Sequence, residues 1–567
     1  LQVDVVYGGK YDFYEKRQRA RMRLSYTDRL YNYFTAELTL SDVRLVYVFE
    51  LKEGDRICYF SEDGLTEKYD YHFNFYNAFQ FAYINAADVH RQVEWMKNAR
   101  FYQIFIDRFA RGNFDKDDRY INLEWGTVPG PKSYAGGDLR GVTENLGYIA
   151  GLGANAIYLT PFFRSVSNHK YDIEDYFTVD GMFGDEEDIR KLVTSAHERG
   201  MRVVMDAVFN HVSARCRQFA DVAEKGKNSP YFDWFIIHGD KIDREKVNYE
   251  CFASCDYMPK WNTSNEAVQE YLIGVGLYWL QKYDIDGWRL DVAADLGHSP
   301  ETNHQFWQDF RKVVKETNPD ALILAEHYGD ASDWLSGDQW DTVMNYDAFM
   351  EPVSWFLTGL EKHSERKDEH LLHNSQAFMC SMLSNMSRMQ TGSLYAAMNE
   401  LSNHDHSRFL TRTNRVVGRL YKPEDAENAE KGINYGTFRS GALIQMTWPG
   451  APTIYYGDEA GVCGWTDPDN RRTFPWGKED LELTEFHRYL TGIRNRTSVF
   501  RRGAFKPLLA ENGMIAYGRF DADEQGVVVV NSEDYAQRVR IPVWEAEVTA
   551  DAMVRVMLTD AKRYNVG

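Results

Sequence analysis

The sequence predicts a parallel α/β architecture: an eight-stranded (β/α)8 barrel with an inserted small domain after its third strand, flanked by an N-terminal and a C-terminal β-sandwich. Three observations predict it. From about residue 102, eight short apolar runs recur with helical stretches between them, the alternation that builds a parallel sheet. Before about residue 90 and after about residue 502, polar residues alternate with β-branched and aromatic ones, as half-buried antiparallel strands require. The length of 567 residues exceeds what one ordinary core supports and favours about three or four domains.

The first domain is expected over residues 1–95. The run R-L-V-Y-V-F-E-L at 44–51 and the aromatic stretch at 69–81 are separated by turns such as Glu53-Gly54-Asp55, as in a small antiparallel sandwich. The barrel is expected over 96–502, with strands at 102–107, 156–161, 203–209, 286–292, 321–326, 342–346, 397–403 and 452–456. The connection 212–262 is aromatic, irregular and longer than an ordinary βα loop, which makes it the inserted domain overhanging the active face. Alternating runs at 514–520, 526–530 and 538–543 make 503–567 the C-terminal sandwich.

Composition narrows the function classes. Lys+Arg 65 against Asp+Glu 85 gives a formal charge of -20, so a phosphate backbone is repelled and nucleic acid is excluded as a partner. The six cysteines include one close pair, Cys251 with Cys255, and no second pair of metal-binding type; all six are expected to be reduced thiols. No run of about 18 apolar residues and no signal-like start occur, which excludes a membrane span and suggests a cytoplasmic protein. The aromatic share of 15% is enough to line a sugar-binding cleft as well as to fill cores.

Four of the apolar runs stop in ionisable residues: D-A-V-F-N-H at 206–211, G-W-R-L-D at 287–291, L-A-E-H at 324–327 and S-N-H-D at 402–405. Singly, each is an ordinary strand-end turn or cap. Together they sit where strands give way to βα loops and side chains from different strands converge on one opening. Facing carboxyls there cost desolvation and repulsion unless they perform chemistry.

With Y-Q-I-F-I-D-R-F at 102–109 and I-Y-Y-G-D-E at 454–459, these motifs resemble, in order and spacing, those of the α-amylase superfamily, whose catalytic domain is a TIM barrel. The N-terminal sandwich, the junction E-W-M-K-N-A-R-F-Y-Q-I-F, S-N-H-K-Y-D at 167–172 and M-P-K-W-N at 258–262 resemble the neopullulanase, cyclomaltodextrinase and maltogenic amylase group. Two departures lie beside the cleft: Trp261 where the group usually has Leu, and Val292-Ala293-Ala294-Asp295 where it has V-A-N-E.

The resemblance implies a retaining α-glycosidase acting on α-1,4 and also α-1,6 glucosidic bonds of cyclodextrins, maltooligosaccharides, pullulan or starch. Retention needs one carboxylate to attack the anomeric carbon and one carboxyl to protonate the leaving oxygen, about 5–5.5 Å apart. By resemblance Asp291 is the nucleophile, kept ionised by Arg289, and Glu326 is the acid, its pKa raised to about 6 by burial and neighbouring carboxylates. Asp405 binds sugar hydroxyls, with His211 and His404 donating to the same ring. Tyr171 stacks on it, and Asp467 and Arg471 belong to the same subsite. His169, His327 and Trp261 complete the expected substrate-binding set.

Segments 111–118 and 135–138 resemble those that bind a structural calcium in this group, with Asn113, Asp115, Asp117, Asp118, the Gly136 carbonyl and Asp138 as candidate ligands. Arg111 and Lys116 stand among them, and cationic side chains cannot coordinate a metal. The N-terminal sandwich resembles one that packs across a partner's barrel mouth, which implies a homodimer. An α-amylase, an oligo-1,6-glucosidase, a glucan transferase on the same scaffold and a non-catalytic amylase-like binding module remain the alternatives.

Overall fold

The computed structural model describes all residues except 12, 28–29, 41–43, 73–76, 82–90, 113–115, 551, 559–562 and 566–567. The chain forms two compact units, residues 1–90 with 541–567, and residues 91–540.

In the first unit, Leu45–Glu53 buries Val46, Val48 and Glu50 on one face, the period-two spacing of a strand. It pairs antiparallel with Gln2–Gly9 on one side and with Arg56–Ser61 and Phe79–Gln80 on the other. Val6, Phe13, Val46, Val48 and Ala78 form the core, and Tyr69 and Tyr71 pack against it. Of the expected 69–81 stretch only Phe79–Gln80 is strand, and 73–76 lie outside the described residues.

The second unit holds the barrel: β1 (Phe101–Ile104), β2 (Ala156–Leu159), β3 (Arg202–Ala207), β4 (Gly287–Leu290), β5 (Leu322–Ala325), β6 (Thr342–Val343), β7 (Met398–Glu400) and β8 (Ala451–Tyr455). Neighbours in sequence are neighbours in the sheet, β8 pairs with β1, and all these pairings are parallel. A single parallel bridge between Met344 and Met398 joins β6 to β7 and closes the ring. The strands β1, β2, β4 and β5 are buried throughout, which explains their unbroken apolar runs. The first residue of β4 is glycine, Gly287, because a Cβ there would lie 2.5 Å from the Leu322 carbonyl oxygen.

The inserted segment carries one α-helix, Arg217–Lys225, and three short 3-10 turns, Gly226–Asn228, Phe232–Trp234 and Phe252–Ser254, and is otherwise stitched by isolated antiparallel bridges such as Phe235 with Trp261 and Cys251 with Pro259. Phe219, Phe235, Tyr249 and Trp261 make its aromatic centre, with ring centroids 4.9–5.0 Å apart.

The segment expected as one C-terminal sandwich, 503–567, is instead divided at residue 540. Ala504–Glu511, Met514–Phe520 and Gln525–Asn531 form a three-stranded antiparallel sheet that stays with the barrel. Trp448, fully buried, lies 4.5 Å from Phe505 and 4.8 Å from Tyr517. The Tyr517 hydroxyl meets Thr447 Oγ1 at 2.6 Å, and Arg519 donates to the Thr447 carbonyl at 2.6 Å. Residues 541–567 belong with the first unit.

Trp448→Ala is expected to cost about 3–5 kcal/mol. It should lower the melting temperature and expose 504–531 to limited proteolysis, and a variant with wild-type melting and protection would remove Trp448 as the anchor.

Candidate active site

Three carboxyls share one buried guanidinium at the mouth of the barrel. Arg289, on β4 and fully buried, donates through one terminal nitrogen to Asp291 Oδ1 at 2.8 Å and to Asp206 at 3.1 and 3.2 Å. Its other terminal nitrogen lies 2.9 Å from Glu326 Oε2 without hydrogen-bond alignment. Glu326 Oε2 also accepts the Val292 N–H at 3.1 Å. That N–H points there because Val292 adopts the left-handed conformation, φ 40°, a strained state for a β-branched residue and one that clusters at functional sites.

Burial raises the pKa of Asp206, Asp291 and Glu326, and Arg289 opposes it in each. One cation faces three carboxyls, so they titrate as a coupled group. Glu326 has the unaligned contact with Arg289, and the charge of Asp405 raises it further. For Asp405 itself burial also raises, but His404, Arg471, His406 and Arg289 outweigh it and hold the carboxyl below its usual range.

Around these groups lies a neutral hydrogen-bonding shell. Tyr171 donates to Asp206 Oδ2 at 2.9 Å and meets His404 Nε2 at 2.6 Å, while Tyr158 donates to the same Asp206 oxygen at 2.6 Å. The Gln103 amide faces His404 Nδ1 at 2.9 Å. Burial pushes His404 and His211 down to about 3, and His169 to about 4. His169 Nδ1 accepts the Tyr171 N–H at 3.1 Å. His211 lies stacked on Phe252, centroids 4.5 Å apart, and its buried Nε2 has no partner; a sugar hydroxyl would satisfy it. Arg471 donates to the His404 carbonyl at 2.7 Å and to Asp405 Oδ1 at 3.3 Å, and pairs with Asp467 at 2.9 Å.

The structure therefore brings Asp291, Glu326, Asp405, Arg289, Tyr171, His169, His211, His404, Asp467 and Arg471 into one connected cluster. Trp261 is a correction: it is wholly buried, donates to the Tyr176 hydroxyl at 3.2 Å and stacks on Phe235, so it presents no surface to a substrate. His327 turns away as well, with Nε2 on the Asp330 carbonyl at 3.1 Å and its ring 4.9 Å from Trp334. Sequence reasoning gave no role to Asp206, Tyr158, Gln103 or Phe252. Asp206 stood in the quoted strand-three motif and could have been found by asking which group shares Arg289.

Of the expected metal ligands, Asn113 and Asp115 lie outside the described residues. Asp117 is exposed and paired with Arg119 at 2.7 Å. The Gly136 carbonyl and Asp138 are bound by the Lys116 ammonium at 2.6 and 2.5 Å. Among the described residues no group of three or more His, Cys, Asp or Glu could hold a metal ion. This donor set does not fit a divalent cation, because its two buried oxygens already face a positive charge.

Buried carboxyls that converge on one arginine at the C-terminal mouth of a (β/α)8 barrel are the arrangement a glycoside hydrolase uses. The alpha amylase catalytic domain matches residues 103–551, and the alpha amylase N-terminal ig-like domain matches residues 1–85. A cyclomaltodextrinase of Bacillus sp is 37% identical, over 94% of this chain and 90% of its own. Neopullulanase 2 of Thermoactinomyces vulgaris is 38% identical, over 96% and 88%. Among solved structures, a cyclomaltodextrinase superposes with TM-score 0.70 at 35% identity over 94% of this chain and 85% of that one. The debranching enzyme of Nostoc punctiforme gives 0.71 at 34%, over 82% and 93%. The chain belongs to the alpha-amylase family of glycoside hydrolases.

Because burial depresses His211 and His404 in the fold, they are neutral there while the unfolded chain takes up their protons below about 6.5. Stability is fully present above about pH 6.5 and is lost as pH falls from there towards about 3. His211→Gln should flatten the fall in melting temperature over that window, and an unchanged slope would count against it.

Proposed function

We propose that this chain hydrolyses α-glucosidic bonds of cyclodextrins and short maltooligosaccharides in a double displacement. The observation that supports it most directly is the unequal division of Arg289, aligned on Asp291 and unaligned on Glu326. Asp291 attacks the anomeric carbon while Glu326 gives its proton to the departing glycosidic oxygen and the C–O bond breaks. Glu326, now a carboxylate, takes a proton from water; the water oxygen attacks the same carbon and Asp291 leaves as carboxylate. Asp405, with Arg471, grips hydroxyls of the sugar at the cleavage point, and His211 donates to it as a neutral imidazole through its unpartnered Nε2, while His404 holds Tyr171. Cleavage of α-1,6 linkages belongs to the same proposal, supported by the Nostoc debranching enzyme and by a cyclic α-maltosyl-(1→6)-maltose hydrolase from Arthrobacter globiformis, 33% identical with TM-score 0.68.

Glu326→Gln and Asp291→Asn should each reduce turnover by several orders of magnitude, with Glu326→Gln keeping oligosaccharide affinity. Retention of more than about a tenth of the wild-type rate overturns the roles. Initial product should be the α-anomer by NMR. Since the Glu326 pKa is raised, kcat/KM should fall as pH rises through that raised value.

We also propose a homodimer formed through the N-terminal domain, supported by the exposed Leu24, Leu30, Tyr31 and Tyr33 of the hairpin Arg23–Thr27 and Asn32–Thr35. Sedimentation should give a dimer, and removal of 1–95 should give monomers with a lower ratio of cyclodextrin to starch activity. A full-length monomer at micromolar concentration rules the dimer out. A cytoplasmic location fits six free thiols and the name of a relative, the intracellular maltogenic amylase of Bacillus subtilis. Among the described residues no helix is long and apolar enough to cross a membrane.

A further inference from the structure

The loop after β1 carries its own positive charge. Lys116 sends Nζ to the Gly136 carbonyl oxygen at 2.6 Å and to Asp138 Oδ2 at 2.5 Å; its side chain is 12% exposed and that of Asp138 is fully buried. Beside it, Arg111 Nε donates to the Ala135 carbonyl at 2.7 Å. Gly136 can present its carbonyl here because it is glycine: its φ is +84°, and a Cβ would lie 2.4 Å from Ile121 Cδ1. Asp138 is fixed in turn, since Oδ1 accepts the Gly141 N–H at 2.8 Å to cap the helix Leu139–Glu144 and the carboxylate also accepts the Gly112 N–H at 3.0 Å.

This cluster is coupled to the catalytic mouth through charged hydrogen bonds. The Ala135 and Gly136 N–H groups donate to Asp107 at 2.9 and 3.0 Å. Asp107 pairs with the buried Arg108 at 2.5 Å, and Arg108 donates to the Arg471 carbonyl and the Ser133 carbonyl, each at 2.6 Å. Arg471 in turn holds Asp405. Whatever cation settles Gly136 and Asp138 therefore sets the backbone on which a substrate-gripping arginine rests.

A divalent calcium ion gathers about six to eight oxygens, whereas an ammonium is satisfied by three acceptors. Two buried oxygens in hydrogen-bond contact with a lysine suit the second and repel the first. We infer that Lys116 supplies, as a covalently tethered cation, the charge that a calcium ion would otherwise supply to this loop, and that the fold needs no metal there. A tethered ammonium does not dissociate, so the stability of the loop is independent of free calcium, whereas a bound ion stabilises only by mass action.

The test uses the full-length protein, stripped with EGTA and melted with and without millimolar calcium chloride, alongside equilibrium dialysis against radioactive calcium. The expected result is one melting temperature in both conditions and no retained calcium. Lys116→Gln, which leaves the Asp138 carboxylate buried and unpaired, should lower the melting temperature by on the order of 5 °C. Stoichiometric retention of calcium by the wild type, or melting that falls on chelation and recovers with calcium, overturns the inference. So does a Lys116→Gln variant that melts with the wild type. If that variant does not fold, Lys116→Arg keeps the charge and should remain indifferent to chelation; a calcium requirement in it is equally fatal.

Discussion

One guanidinium buried among three carboxyls is the constraint on which the rest of the mouth depends. Arg289 has no exposure, and an unpaired charge in such a place would be prohibitively costly. Asp206 and Asp291 meet it with aligned hydrogen bonds, and the excess negative charge of the three carboxyls couples their titrations. The surrounding polar groups are chosen to leave that balance alone. Tyr158, Tyr171 and Gln103 are neutral, and burial keeps the histidines uncharged, so none of them adds a competing full charge.

The scaffold serves the same end. Arg289 and Asp206 are fixed by adjacent parallel strands in register, Arg289 opposite Asp206, while Asp291 and Glu326 stand one residue beyond β4 and β5. At those positions the ladder has ended and side chains are released towards the opening, yet the backbone is still held by the last strand bonds, Asp291 N–H to Ala207 O and Glu326 N–H to Leu290 O. Second-layer rigidity comes from Asp107, Arg108 and the turn at Ala135–Gly137, which hold Arg471 from behind.

The barrel and its mouth were legible because ionisable residues interrupt apolar runs at the strand ends, a one-dimensional signal for a three-dimensional convergence. Trp261 and His327 were not. Their neighbours in sequence are functional, but orientation is decided by packing among distant aromatics, Phe235 and Tyr176 for one, Trp334 and Trp340 for the other. The division of 503–567 was equally hidden, since period-two alternation announces strands without saying which body they join; Trp448 and Arg519 decide that. Lys116 was visible as a misfit among oxygen donors, but only its reach to Gly136 and Asp138 shows that it is itself the counter-charge.

The closure of the barrel is uneven. Strand β6 has two residues and meets β7 through the single Met344–Met398 bridge, whereas β3 and β4 pair over four positions. A seam with so few backbone bonds opens at lower free energy than the rest of the ring. It lies between β5, which carries the acid Glu326 at its end, and β7, after which Asp405 follows. Amide hydrogen exchange would accordingly be faster at this joint than along β3 and β4, so that the ring yields first where its ladder is thinnest.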